Sequence, residues 1–243
     1  MRAPVFLVDV LPETDQTVLD GPEGRHAATV RRIRAGEHIH LSDGTGGLAE
    51  CTVVGTEHDQ LALAVLRRSR LRPPDPRFVV VQALPKGDRG ELAVELLTEV
   101  GADEIVPWAS ARTVPQWRGE RGERALARWR STAREAAKQS RRAWLPYVTD
   151  VHTTRQVCAL IAGSAGAVVL DQDARLPLAE TPLPSSGDIL VVIGPEGGLT
   201  EGEVTAFRAS GARPARLGPT VLRTSTAGPA ALSVLSVRTD RWR

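Results

Sequence analysis

Apolar residues recur along this chain in two different rhythms, and the change falls at residues 71–76, LRPPDP. Before it, runs of strand length (VFLVDV, GEHIHLSDGTGG, LAECTVVG and QLALAVL) are separated by Asp-Gly and Gly-Gly turn signals, with one short helical stretch over residues 25–33. That spacing predicts a small β-rich module folded as a compact barrel. The three prolines of residues 71–76 can continue neither a strand nor a helix, so the segment reads as a linker. Beyond it, buried-strand runs alternate with helical stripes. Strands are predicted at residues 78–83, near Ile105, at 167–170 and at 188–193. A helix over 88–100 has Asp88 and Glu91 as a capping-box start, an apolar stripe of Leu92, Leu96, Leu97 and Val100, and Gly101 as its stop. A second helix over 121–140 turns Leu126, Trp129, Ala133 and Ala137 inward, and Thr200 with Glu203 caps a third, short one. The order β-α-β-α-β-β-α-β-α predicts an α/β domain with a largely parallel sheet covered on both faces and its ligand at the strand C-ends. Domains are therefore expected over residues 1–72 and 73–243.

Two stretches near the C-terminus carry the most specific pattern: ILVVIGPEGGL at residues 189–199 and LGPTVLRTSTA at 217–227. In each, an apolar run ends in Gly-Pro, which stops a strand and opens toward a helix start at Thr200 or around Ser225. Two such loops on adjacent strand ends make a crevice lined by main-chain groups. A phosphate loop needs Gly-Lys-Ser/Thr and a dinucleotide fold needs Gly-x-Gly-x-x-Gly after its first strand; neither is present, which argues against nucleotide phosphates. Residues 194–198, GPEGG, instead set one carboxylate, Glu196, among residues with little side chain, so that a flat or bulky ligand can approach the main chain closely. A tight turn with a solvated Glu196 is the other reading of that motif.

Composition narrows the class. The 243 residues are 42% hydrophobic, enough for a packed core in one large domain or two smaller ones, and carry a formal charge of +2. Apolar runs fall short of the ~18 residues of a membrane helix, and the N-terminus meets an acid and two prolines too early for a secretory signal, so a soluble cytoplasmic protein with no membrane association is expected. Cys51 and Cys158 read as reduced thiols. The charge is uneven: residues 118–142 hold eight arginines and Lys138 against three glutamates, with further clusters at Arg31, Arg32 and Arg34 and over residues 67–72. Such clusters suit phosphate contact, or reflect an arginine-rich composition. His38 and His40 alternate on a strand without a third ligand at a helpful spacing, so no metal is expected. Trp108, Trp117, Trp129 and Trp144 are candidates for stacking on bases, Trp129 reading as core.

VVIGPEGGLTEGEV followed by LGPTVLRTSTA resembles the paired C-terminal motifs of the SPOUT superfamily of trefoil-knotted methyltransferases, most closely the RsmE family, which methylates N3 of a uridine in 16S ribosomal RNA. The segment VQALPKGDRGELAVELLTEVGADEIVPWASART, with Lys86, Glu99, Gly101, Pro107 and Arg112, and AREAAKQSRRAWLP, with Gln139, Arg142 and Pro146, are similar to that family's middle segments. GRHAATVRRIRAGE, with His26, Val30, Arg32 and Gly36, followed by Asp43-Gly44, resembles its RNA-binding N-terminal module, a PUA-like domain.

The resemblance implies a SPOUT-type α/β domain with a deep C-terminal trefoil knot, preceded by a small PUA-like β-barrel, and S-adenosylmethionine bound in the knot. Carried over by position, the cofactor residues are Leu170, Ile193, Gly194, Pro195, Glu196, Gly197 and Gly198 on one side and Leu217, Gly218, Leu222, Arg223, Thr224, Ser225 and Thr226 on the other. RNA contacts are implied at Arg2, Arg25, His26, Arg31, Arg32, Lys86, Arg112, Gln139 and Arg142. Transfer to N3 requires that nitrogen to lose its proton; Arg223 is the first candidate to stabilise the uridine anion, with Glu196 and Glu99 as candidates to accept the proton or position the base. The substrate implied is 16S rRNA in the small ribosomal subunit, and the assembly implied is a homodimer. A SPOUT enzyme acting on a ribose 2′-oxygen of another RNA, and a non-catalytic ribosome assembly factor, are the alternatives. This chain has Ser225-Thr226-Ala227 where the family pattern has Glu-Thr-Ala; the expectation is that the glutamate caps a helix and that Ser225 replaces it. Pro229 is expected within the first turn of that helix.

Overall fold

The computed structural model describes residues 3–242, so Arg2 lies outside the described residues. The chain divides into two compact units, one formed by residues up to Pro73 together with Ala137–Leu145, the other by Pro74–Ala136 and the residues from Pro146 on.

The first unit is built on β1 (Val5–Leu7), β2 (Gln16–Leu19), α1 (Gly21–Arg25), β3 (His38–Ser42), β4 (Gly47–Glu57) and β5 (Gln60–Arg70). The five strands form one sheet in the order β1-β3-β4-β5-β2, with β1 parallel to β3 and the other pairs antiparallel. Alternate residues of β4 are buried from Gly47 to Val53, and its register shifts twice against β5, at Glu50/Cys51 and Val53/Gly55, so the long ribbon bends around its core. Phe6, Ile39, Leu41, Leu61 and Leu63 fill that core, each burial worth roughly 1.5–3 kcal/mol. β2 escapes the sequence pattern because only Leu19 of QTVL is buried. The turn before β4 is fastened by Asp43, whose Oδ1 accepts the N–H groups of Thr45 and Gly47 at 2.7 and 2.9 Å. Burial by itself would raise the Asp43 pKa; those hydrogen bonds and the Arg70 charge hold it below the usual carboxylate range.

The second unit contains β6 (Arg77–Ala83), α2 (Arg89–Val100), β7 (Glu104–Ala109), α3 (Gly119–Gln139), β8 (Tyr147–Val148), β9 (His152–Thr153), α4 (Thr154–Gly163), β10 (Gly166–Leu170), β11 (Asp188–Ile193), α5 (Glu201–Ala209), β12 (Arg213–Ala215) and α6 (Thr224–Arg238). The last residues of α3, from Ala137, belong with the first unit. The sheet is parallel throughout, in the order β12-β10-β11-β6-β7-β8, with β9 also on β7. β6 and β11 are near-continuous apolar runs because both faces are covered. Phe78, Val80, Ile105 and Val191 point to one face, against Leu97, Trp129, Leu232 and Leu235; Val79, Val81, Val106 and Val192 point to the other, against Val157, Ile161 and Phe207. From β6 the chain steps to β7 on one side, and from β11 it steps past β10 to β12 on the other. The C-ends of β6 and β11 therefore flank the switch point of the sheet, where open α/β folds bind ligands.

Four local expectations are corrected. Asp88 is the N-cap of α2 but, at φ −79° and ψ 5° instead of the extended backbone of a capping residue, makes no side-chain cap hydrogen bond, and Glu91 pairs with Arg128 at 3.0 Å. The buried stripe of α2 is Ala93, Val94 and Leu97, and Leu92 is 41% exposed; Gly101 ends the helix at φ +106°, a left-handed conformation suited to glycine. The helix α4 was not anticipated, although Thr153 and Gln156 form a complete capping box at its start. Pro229 sits at the sixth position of α6, past the first turn, since the helix already begins at Thr224. The neighbouring Gly228 is required by close packing: a Cβ there would lie 2.6 Å from Ile193 Cδ1 and 2.8 Å from Leu97 Cδ2.

Candidate functional site

The parallel register sets Leu170, Ile193 and Gln82 at the same edge of the sheet, Ile193 directly opposite Gln82. From that edge the chain leaves β11 as residues 194–200, a loop held at several points. Gly198 N–H closes a turn on the Pro195 carbonyl at 2.9 Å with Gly198 at φ +72°. Glu196 Oε1 accepts the Lys86 N–H at 3.2 Å, joining this loop to the one after β6. Arg112 Nη1 donates to the carbonyls of Gly197 and Leu199, at 3.0 and 3.4 Å. Thr200 and Glu203 complete the foreseen capping box of α5, and Glu203 Oε1 also accepts the Ala111 N–H at 2.8 Å.

The second loop, residues 216–223, leaves β12 and enters α6. Its residues from Pro219 to Arg223 are exposed, Val221 by 75%. Arg223 is the N-cap of α6; its carbonyl accepts the N–H groups of Thr226 and Ala227, both at 2.9 Å, and its guanidinium makes no hydrogen bond or ion pair among the described residues. The next residue fastens the two loops together. Thr224 Oγ1 donates to the Gly194 carbonyl at 2.9 Å and accepts from Gln82 Nε2 at 2.9 Å, a buried relay linking β6, the first loop and the start of α6. Ser225 follows, 1% exposed, with an Oγ that has no partner among the described residues; Gln82 Oε1 is a second buried orphan. Ser225 lies inside the helix and caps nothing, so the expected capping role is not its own.

The structure thus brings together Leu170, residues 194–198, Leu217, Gly218 and residues 222–226 at one edge. Two qualifications come from packing. Ile193 is 2% exposed and belongs to the core beneath Gly228, so its main chain rather than its side chain faces the crevice. Arg112, expected to contact RNA, is exposed and gives Nη1 to carbonyls of the glycine loop. Glu99 lies elsewhere: α2 runs back from the C-ends of the strands, and Glu99 stands exposed two residues before Gly101, at the edge where Phe78 begins its strand. Lys86 is exposed in the loop after β6.

In the first unit, Arg25 pairs with Asp59 at 3.0 Å, and His26 opens a π-helical turn, His26–Val30, with its ring 6.2 Å from that of Phe6. Arg31 and Arg32 are exposed and follow that turn, and Gln139 is exposed at the end of α3. Arg142 is half-buried, and its N–H bonds the Ala137 carbonyl at 2.9 Å. Trp108 and Trp129 are core, Trp108 edge-on to Phe207 at 5.3 Å. Among the described residues no group of three or more His, Cys, Asp or Glu is arranged to hold a metal, and no helix is long and apolar enough to cross a membrane.

Sequence comparison matches residues 73–236 to an RNA methyltransferase domain family and residues 19–66 to an RNA methyltransferase PUA domain. The ribosomal RNA small subunit methyltransferase E of Mycobacterium tuberculosis (strain CDC 1551 / Oshkosh) is 47% identical over 247 residues, covering 100% of this chain and 94% of the relative. The protein of the same description from Bacillus subtilis (strain 168) is 31% identical over 233 residues, covering 93% and 91%. Among solved structures, the ribosomal RNA small subunit methyltransferase E of Neisseria gonorrhoeae bound to S-adenosyl methionine superimposes with a TM-score of 0.85 at 26% identity over 98% of each chain. With its full length aligned to such relatives, the chain belongs to the RsmE family, the ribosomal RNA small subunit methyltransferase E proteins.

Proposed function

We propose that this protein transfers the methyl group of S-adenosylmethionine to N3 of a uridine in 16S ribosomal RNA, acting on the small subunit in the cytoplasm. The observation that carries the reading is the pair of Gly-Pro loops tied together by Thr224 at the switch point of a parallel sheet, in a chain of the RsmE family.

The crevice suits the cofactor. Leu170 and Leu222 offer apolar walls, and an added Cβ at Gly218 would meet nothing within 4 Å. When bound, S-adenosylmethionine supplies an electrophilic methyl group on a sulfonium. The residues of the chain do the rest. Gly194 and Gly197 let Leu199 and Arg112 pack closely on the first loop, and the clamps from Arg112 and Lys86 keep that side of the crevice in place before binding. Arg223, free at the mouth of α6, is placed by this reading beside the uridine so that its guanidinium stabilises the anion formed when N3 loses its proton. Glu196, held through Oε1 by the Lys86 N–H, positions the base or receives the proton through its other oxygen. Glu99 has no part in this scheme.

Two further features belong to the proposal. The chain end threads a loop to form a trefoil knot, a reading supported by α6 passing from the Gly194 loop to pack on α2; pulling the protein from both ends should leave an extended chain shorter than its full contour, and full extension would contradict the knot. The protein works as a homodimer, for which sedimentation should give twice the chain mass. For the reaction itself, a nucleoside digest of small-subunit RNA incubated with protein and cofactor should yield 3-methyluridine, and Arg223→Ala should lower kcat about a hundredfold. A ribose-methylated nucleoside, or no methylation, would contradict the proposal.

A further inference from the structure

Beside the glycine loop lies a groove of about 900 Å³, lined by Pro85 and Lys86 from the loop after β6, by Val114 and Trp117, and by Arg121 and Arg128 of α3. The Lys86 N–H to Glu196 hydrogen bond ties the loop that lines it to the first loop of the crevice. The volume exceeds what one nucleobase needs. Its chemistry is of two kinds. Trp117 is half-buried and set edge-to-face on Trp129 at 5.0 Å and 81°, which fixes the angle of its indole, and Val114 and the prolines add apolar wall. Gly122 seats against the Trp117 main chain, so the segment that carries the indole is fixed to α3. The charges favour an anion. Lys86 Nζ and the Arg121 guanidinium have no partner among the described residues, while of the two acids in the groove Glu91 is already paired with Arg128, leaving Asp88 alone.

We infer that this groove is a subsite for single-stranded RNA that flanks the reacting uridine, with an unstacked base on Trp117 and its phosphates on Arg121 and Lys86. The inference rests on the proposed methyl transfer for its biological setting, but its physical content is RNA binding. Stacking on an aromatic ring tolerates any base, whereas paired cations beside it track the backbone, so the site grips a strand without reading its sequence. It also gives a reason for an unpaired substrate: a base stacked inside a duplex cannot reach the indole.

The test uses the full-length protein and a short fluorescein-labelled oligouridine followed by anisotropy, with calorimetry against S-adenosylmethionine in parallel. Trp117→Ala should weaken oligouridine binding roughly tenfold to a hundredfold, Trp117→Phe should recover most of it, and both should bind S-adenosylmethionine like the parent. Arg121→Gln should flatten the dependence of log affinity on log salt by roughly 0.7, the share of one phosphate contact on a single strand. Unchanged oligouridine affinity and salt slope in all three variants would overturn the inference and leave the groove to a protein partner. An equal loss of S-adenosylmethionine binding in Trp117→Phe would also overturn it, by showing that the indole only supports the fold. Should the parent methylate no RNA, the functional proposal fails, while the oligouridine measurement still decides the groove.

Discussion

The two loops that open on Gly-Pro look alike at their start and differ in how they are held. Residues 194–200 are fastened from four directions, by Lys86, Arg112, Thr224 and the capping box at Thr200. Residues 217–222 make neither main-chain nor side-chain hydrogen bonds among the described residues, and the helix that follows them starts on Arg223 without a side-chain cap. The first loop is thus fixed by the chain itself, and the second is held by no hydrogen bond of its own among the described residues. A preformed wall lowers the entropic cost of binding, and a loose one lets a bulky ligand and its product enter and leave.

The largest effect should come from cutting the tie between the loops. Thr224→Val leaves the Gly194 carbonyl without its donor and Gln82 Nε2 with only the Ala83 carbonyl at 3.1 Å, which should cost about 1 to 3 kcal/mol in denaturant unfolding; a loss below about 0.5 kcal/mol would mean that the relay does not hold the loops. Releasing the first loop alone is milder. Arg112→Met should raise the dissociation constant for S-adenosylmethionine about tenfold in calorimetry with little change in melting temperature, and an unchanged constant would break the contrast between the walls. Hydrogen exchange reads the contrast directly: amides of residues 217–222 should exchange fast in the free protein and slow when S-adenosylmethionine is added, while those of 196–199 change little. The smallest effect is expected at Ser225→Ala, within about 0.5 kcal/mol of the parent, because the hydroxyl caps nothing and has no partner; a loss of about 1 kcal/mol or more would restore a capping role to it.

What was legible in the sequence was local. The Thr200 to Glu203 box, the Gly101 stop and the buried strands all follow from residues within a few positions of one another, and the structure has them. The Thr153 to Gln156 box carried the same signal, yet α4 escaped because its apolar stripe is short and only Val157 and Ile161 are buried. What was not legible depends on distant partners. Gln82 sits in the apolar run FVVVQA and meets Thr224 142 residues later, so nothing nearby marks it as a tie. Arg112 is implied only by resemblance, as an RNA contact, and nothing near it in sequence marks the carbonyls 85 and 87 residues away that its Nη1 holds. Glu99 was placed by resemblance alone, and the direction of α2 carries it to the far edge of the sheet. Pro229 points to a helix start near Ser225 or Thr226, whereas α6 begins at Thr224 and Gly228, packed against Ile193 and Leu97, fixes how deep it lies.

The central claim is that the two loops together hold the methyl donor, and titration calorimetry of S-adenosylmethionine into the parent and Gly218→Trp, at a position where an added Cβ meets nothing within 4 Å, tests it most directly. The account predicts saturable binding to the parent and none to the variant, whose indole would fill the crevice while the protein still melts cooperatively. Equal binding by both would contradict it.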